Sequence, residues 1–134
     1  MDDLYREHIL EHAQHPRNWG ELPDATFVMR AANASCGDSL EIFLKIDEAG
    51  IIKAVTWQGD GCAVSTAAAS LLSEKLVGSS IQKWESMSAE DVLRELELLH
   101  ISPSRQKCAL LFWQGLRSGE DWAVVQGSAE REQQ

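Results

Sequence analysis

The stretch LEIFLKIDEAGIIKAVTWQ, residues 40–58, decides the fold class that the sequence predicts. Apolar residues occupy every second position from 40 to 46, and this period of two is typical of a strand with one buried face. The four residues 47–50, Asp-Glu-Ala-Gly, have the composition of a hairpin turn, and residues 51–58 are again strand-like. The stretch therefore predicts two antiparallel strands joined by a tight turn.

The rest of the chain adds one strand before this hairpin and several helices after it. The added strand is predicted at residues 25–34. Helices are expected from capping residues, apolar periodicity and small-residue content. They lie at residues 4 to about 13 (with Asp3 as the cap), 59–78 (ending at the glycine), 80–84, 88–99 and 103 to about 119. Strands followed by helices predict an α+β fold, with the helices on one face of a small three-stranded antiparallel sheet.

The chain of 134 residues has the length of a single domain. We assign residues 1–126 to that domain. Residues 127–134 are polar and end in Glu-Arg-Glu-Gln-Gln, and we expect them to form a disordered tail.

The formal net charge of −9 argues against nucleic-acid binding, because an acidic surface repels the phosphate backbone. No stretch approaches the roughly 20 apolar residues needed to cross a membrane. The charged N-terminal residues do not resemble a signal peptide. The odd number of cysteines, three, argues against a disulfide framework. Together these features predict a cytoplasmic protein without membrane or nucleic-acid partners.

The three cysteines stand at the ends or in the first turns of predicted elements. Cys36 ends the first strand and is followed by Gly37 and Asp38, whereas Cys62 begins a helix directly after Gly61. A helix N-terminus favours a thiolate, because its free N–H groups carry partial positive charge. Cys108 lies in the last predicted helix.

Three thiolates and one carboxylate make four ligands, the number that a tetrahedral zinc ion requires. Asp38 is the candidate for the fourth ligand. Such a centre carries a formal charge of −2, which the nearby Arg105 and Lys107 would offset. The spacing alone leaves the alternative open that each cysteine is a small buried apolar residue. No CxxC pair is present to favour a zinc ribbon or a thioredoxin-like site.

Four segments carry a resemblance to a known family. They are LYREHILEHAQHPRNWGEL (4–22), ASCGDSLEIFLKID (34–47), GDGCAVSTAAASLLSEKLVG (59–78) and RQKCALLFWQGL (105–116). In this order they resemble the IscU/SufU family of iron–sulfur cluster assembly scaffolds, which also forms the N-terminal domain of NifU. The resemblance extends over residues 4–116, most of the chain.

The resemblance implies a site and a function. Cys36, Asp38, Cys62 and Cys108 would bind a metal, and one cysteine, for which we choose Cys108, would accept sulfur from a cysteine desulfurase. The resemblance also implies that a [2Fe–2S] cluster is held transiently and passed to downstream acceptor proteins. The protein would be a sulfur carrier and scaffold rather than an enzyme with small-molecule turnover.

Two features bear on the branch of the family. Lys107 stands where the IscU branch has histidine, and lysine there resembles the zinc-binding SufU branch. The 45 residues between Cys62 and Cys108 leave little room for the insertion typical of SufU, so the chain is nearer IscU in length. Residues 101–105, Ile-Ser-Pro-Ser-Arg, keep one proline of the IscU chaperone motif, which argues against chaperone-assisted transfer of that kind.

Two other functions remain open at this stage. One is a structural zinc module for protein docking, and the other is a thiol enzyme with His100 as its base. His8, His12 and His15 are spaced to lie near one helical face, and we predict a solvated face rather than a metal site. Trp57, Trp84, Trp113 and Trp122 are predicted to lie in the core or at its edge.

Overall fold

The structure, a computed structural model, describes residues 3–33, 37–118 and 123–124. It contains six helices and four strands within these ranges. In chain order they are α1 (Asp3–Gln14), β1 (Phe27–Asn33), β2 (Asp38–Ile46), β3 (Ile52–Asp60), α2 (Ala63–Leu76), α3 (Ile81–Ser86), α4 (Ala89–Glu95), α5 (Pro103–Ala109), α6 (Leu111–Ser118) and β4 (Ala123–Val124). The predicted tail, residues 127–134, and Trp122 lie outside the described residues.

The sheet is antiparallel, with strand order β3-β2-β1-β4. Leu40, Ile42 and Leu44 are buried on one face, where the helices pack, as the alternating pattern predicts. The α+β fold with three long antiparallel strands is thus confirmed. The two-residue β4, which pairs with the start of β1, is an addition that the sequence did not predict.

The predicted hairpin turn between β2 and β3 is confirmed. Oδ1 of Asp47 accepts hydrogen bonds from the N–H groups of Ala49 and Ile51, both at 2.9 Å. Gly50 has φ +84°, a left-handed conformation that costs glycine little. The turn sets the register in which β2 and β3 pair.

The central helix α2 packs against α1, β3, α5 and α6. Its buried side includes Ala67, Ala68 and Ala69, whose small side chains let neighbouring backbones approach closely. A similar approach occurs at Gly115 of α6, where a Cβ atom would lie 2.9 Å from the Cβ of Ala31. Within the described ranges, no helix is both long and apolar enough to cross a membrane.

Three predicted helices have wrong boundaries. The helix expected at 59–78 begins only at Ala63, because Gly59 and Asp60 pair with β2 as the end of β3. The helix expected at 88–99 begins after its Ser88 cap but ends at Glu95. Glu97 has φ +60°, and the N–H groups of Glu97 and Leu98 donate to the carbonyls of Arg94 and Leu93. This is a Schellman-type end. The sequence did not indicate it, because glutamate occupies the place where glycine is usual.

The helix expected from Pro103 to about residue 119 is two helices, α5 and α6, separated at Leu110. Residues 108–113 are all buried. Six consecutive residues cover more than a full turn, so one straight helix against a single neighbour cannot bury them all. They are buried because several elements surround the segment: α5 packs on α2, and α6 packs on α2, on α3 and on strands β1 and β2 of the sheet.

The prediction of a solvated histidine face was wrong for His12. Its side chain is buried, and Nδ1 lies 2.7 Å from Oγ of Ser70 in α2. The same hydroxyl oxygen accepts a hydrogen bond from the backbone N–H of Arg17 at 2.8 Å. The serine in the small-residue stretch of α2 provides a polar partner at the α1–α2 interface. His8 and His15 are exposed, as predicted.

Replacing His12 by asparagine should reduce the acid sensitivity of folding. Burial, followed by the charges of Arg17 and His8, lowers the pKa of His12 from its usual 6.5, against the opposing carboxylates of Glu74 and Glu11. Because the unfolded chain then binds the proton more readily, this residue's contribution to stability is present above pH 6.5 and is lost as the pH falls below it.

The measurement is the free energy of unfolding between pH 8 and pH 5, taken as wild type minus His12→Asn. Asparagine can keep the hydrogen bond to Ser70 and does not titrate. As the pH falls through about 6.5, the wild type should lose more stability than the variant, so this difference should decrease. A difference that stays constant with pH would contradict the prediction.

Gly115→Val should destabilise the fold. The new side chain meets Ala31 and Ile42 at the contact between α6 and the sheet. Overpacking of this kind costs about 1–3 kcal/mol. The neighbouring Gln114→Ala, at an exposed position of the same helix, serves as control and should leave the urea midpoint nearly unchanged. Equal midpoints for both variants would show that the close approach is not a constraint.

Candidate metal centre

The register of the sheet brings two distant parts of the chain to one end of the fold. Ser39 and Leu40 of β2 pair with Asp60 and Gly59 of β3. The first residue of β2, Asp38, therefore lies beside the end of β3. From there the chain turns through Gly61 into α2, for which Cys62 is the N-cap residue. Asp38 and Cys62 become neighbours although 24 positions separate them.

Two glycines make this close approach possible. A Cβ atom on Gly59 would lie 2.2 Å from the carbonyl oxygen of Ser39. A Cβ atom on Gly61 would lie 2.2 Å from Oγ of Ser65 and 3.5 Å from Cγ of Asp38. The predicted supporting residue Gly61 thus adjoins the site directly. Gly37, the other glycine predicted to support the site, is exposed, has φ +71° and directly precedes Asp38.

Cys62 caps α2 with its sulfur atom. The backbone N–H of Ser65 donates to Sγ at 3.4 Å, and Oγ of Ser65 donates to the carbonyl of Cys62 at 3.1 Å. The sulfur therefore lies at the N-terminus of α2, beside the N–H groups of its first turn. Ser65, three positions after the cysteine, is a supporting residue that sequence reasoning missed. Its spacing from the cap was the available signal.

Cys108 reaches the same place from α5, which packs on α2. It is buried, and its sulfur lies 3.8 Å from the carbonyl oxygen of Ser104, one turn earlier. The ligand atoms of Asp38, Cys62 and Cys108 all lie within 4.8 Å of one another. Ligands of a tetrahedral zinc are about 3.5–3.8 Å apart, so small side-chain movements would close the group around an ion.

The surroundings of Asp38 show that Asp38, Cys62 and Cys108 suit a cation. The carboxylate is 5% exposed, and Oδ1 accepts a hydrogen bond from the N–H of Cys62 at 3.3 Å. Oδ2 is buried and has no hydrogen-bond partner among the described residues. A buried carboxylate oxygen without a partner is costly, and a metal ion would remove that cost. Two sulfur atoms and this oxygen are donors that zinc accepts.

The other predicted site residues are not part of this group of three. Cys36 lies outside the described residues, in the chain segment 34–36. Arg105 and Lys107 are exposed on α5, and neither makes an ion pair with another described residue. Asp60 is exposed and does not join the ligand group of Asp38.

Two open grooves, of about 530 Å³ and 390 Å³, run beside the site. Both are lined by Trp19, Gly59 and Asp60, and the smaller one also reaches Gly61. The Trp19 side chain is 51% exposed and meets the Trp57 ring edge-on, with 5.0 Å between centroids. Sequence reasoning did not single out Trp19. The sequence showed only that Trp19 lies in a loop before Gly20. Whether its ring is exposed depends on the tertiary fold.

Comparison with known proteins identifies the family. The NifU-like N-terminal domain model matches residues 4–121. The chain is 33% identical to the iron–sulfur cluster assembly scaffold protein IscU of Thermotoga maritima, with 85% of this chain and 90% of that protein covered. It is also 33% identical to the zinc-dependent sulfurtransferase SufU of Bacillus subtilis, covering 89% of this chain and 90% of that protein.

Solved structures show the same fold. A crystal structure of an iron–sulfur scaffold protein for the SUF system from Fervidobacterium islandicum has a TM-score of 0.71 at 24% identity, over 82% of this chain and 91% of that one. A further crystal structure, of a protein described as hypothetical, has the same TM-score at 27% identity, over 87% of this chain and 96% of that one. The chain therefore belongs to the NifU-like N-terminal domain family, which includes the IscU and SufU proteins.

Proposed function

We propose that the protein accepts sulfur at a metal-bound cysteine site and takes part in iron–sulfur cluster assembly. The observation that carries the proposal is the convergence of Asp38, Cys62 and Cys108, with Oδ2 of Asp38 buried and lacking a partner among the described residues. The names of the relatives support it, since one is a cluster assembly scaffold and the other a zinc-dependent sulfurtransferase. Cys36 would complete the ligand set.

Zinc is the resident metal that these residues fit best, and when bound it would keep the thiols deprotonated at neutral pH. Asp38 and Cys62 would hold fixed positions, because one is buried and the other caps α2. With four such ligands the formal charge is −2, and the exposed Arg105 and Lys107 on α5 would reduce the repulsion of an incoming anion.

The sulfur donor in this proposal is the persulfide of a cysteine desulfurase. The Cys108 thiolate attacks the outer sulfur of the donor persulfide, a new S–S bond forms, and the donor cysteine leaves as a thiolate. Electrons balance because one persulfide is exchanged for another. Cys108 is the proposed acceptor because it lies on α5 beside two exposed cations, Arg105 and Lys107.

A [2Fe–2S] cluster would be cargo on the same ligands, to be passed to downstream acceptor proteins. The protein would act as carrier and scaffold without small-molecule turnover. Such chemistry needs reduced thiols, which the cytosol maintains. We therefore place the protein in the cytoplasm. We assign the function to residues 1–126 as one domain.

The first test concerns the metal. We expect one tightly bound zinc per chain, measured by elemental analysis and by competition with a chromophoric chelator. Asp38→Asn and Cys62→Ser each remove a ligand and should lower zinc affinity by at least about 10–100-fold. The control is Asp60→Asn, which removes the same charge as Asp38→Asn at an exposed position beside the site. It should leave zinc affinity nearly unchanged. Wild-type affinity in the two ligand variants would disprove the metal centre.

The second test concerns sulfur. The zinc-loaded protein is incubated with a cysteine desulfurase and cysteine, and persulfides are tagged and located by mass spectrometry. We expect one additional sulfur on Cys108, and none at that position in Cys108→Ser. Persulfide on Cys36 or Cys62 alone would overturn the choice of acceptor. Zinc binding without any persulfide would instead favour a structural zinc module for protein docking.

A further inference from the structure

A group of histidine and carboxylate side chains lies between α1, α2 and the end of α4. It surrounds a cavity of about 420 Å³ that is lined by His8 and His12 of α1 and by Glu74 of α2. None of these residues belongs to the group of Asp38, Cys62 and Cys108. The proposed sulfur chemistry does not use them.

The ring of His12 is held in place as a ligand would be. It is 5% exposed, and its Nδ1 is 2.7 Å from Oγ of Ser70. That oxygen also accepts the backbone N–H of Arg17, so its position is fixed. Metal-bound histidines usually have their second ring nitrogen hydrogen-bonded in this way. The other nitrogen, Nε2, lies 3.9 Å from Oε1 of Glu74.

His8 supplies the third donor. It stands four residues before His12, a spacing that places two side chains on one helical face about 5–6 Å apart. The ring centroids of His8 and His12 are 5.0 Å apart, at an interplanar angle of 75°. The donor atoms of His8, His12 and Glu74 do not form a compact group in the present rotamers. Because His8 and Glu74 are exposed, both side chains can turn toward Nε2 of His12 without disturbing the core.

The cavity also has the charge that a cation requires. Three carboxylates, Glu74, Glu95 and Glu97, line it against one ammonium group, Lys75, which gives a formal charge of −2. Glu97 is brought to the cavity by its left-handed backbone at the end of α4. An excess of carboxylates around two imidazoles raises the local concentration of divalent cations.

We propose that His8, His12 and Glu74 form a second site that binds a divalent first-row transition metal ion, such as Zn²⁺. Two imidazoles and a carboxylate are a ligand set that these ions accept, with water in the remaining positions. Bound there, the ion links α1 to α2. It therefore stabilises the contact on which the placement of the N-terminal helix depends.

The test uses the full chain with its thiols first saturated by one equivalent of Zn²⁺, followed by titration with Co²⁺. Cobalt bound by histidine and carboxylate gives weak d–d absorption bands without thiolate-to-metal charge transfer, whereas cobalt at the cysteine site gives both. We expect one equivalent of Co²⁺ with d–d bands only, and a rise in Tm on its addition. The signal is thus separate from the success or failure of the sulfur proposal.

Two pairs of variants decide the assignment. His8→Ala and Glu74→Gln should each lower Co²⁺ affinity at least about tenfold and remove the rise in Tm. Their matched controls, His15→Ala and Glu85→Gln, change an exposed histidine and an exposed acid outside the cavity and should bind as wild type does. Co²⁺ binding weaker than millimolar, or equal in all four variants, would overturn the proposal.

Discussion

The hydrogen bond from the N–H of Cys62 to the carboxylate of Asp38 is the contact on which the candidate metal centre depends. It links the start of β2 to the start of α2. It exists only because β2 and β3 pair in a register that places Gly59 opposite Leu40. The chain can then turn through Gly61 without a side chain that would collide with Ser65. Shifting this register by one residue would move Asp38 to the other face of the sheet.

The break at Leu110 is the second constraint. It divides a long apolar segment into α5, which carries Cys108 to α2, and α6, which covers the sheet through Gly115. The two helices share α2 as a neighbour, and α6 also packs on α3, β1 and β2. One apolar segment therefore both places the third described ligand and fills the core under the sheet.

The two groups of ligands differ in how the fold holds them. Asp38 and Cys108 are buried, and Cys62 is fixed by its cap, so the main centre is preorganised except for small movements. In the second group only His12 is fixed, whereas His8 and Glu74 are exposed. This difference predicts a tight resident ion at the first group and a weaker, exchangeable one at the second.

The sequence by itself determined the α+β class, the hairpin at 47–50 and the candidate ligands, because strand alternation, turn composition and the family segments are local patterns. It did not determine where α4 ends, because a glutamate at Glu97 gives no signal of a left-handed cap. Nor did it show that His12 is buried. That depends on Ser70, 58 positions away, which meets His12 only when α1 packs on α2. Periodicity records which face of an element is apolar, and only tertiary packing decides which polar groups are enclosed between two faces.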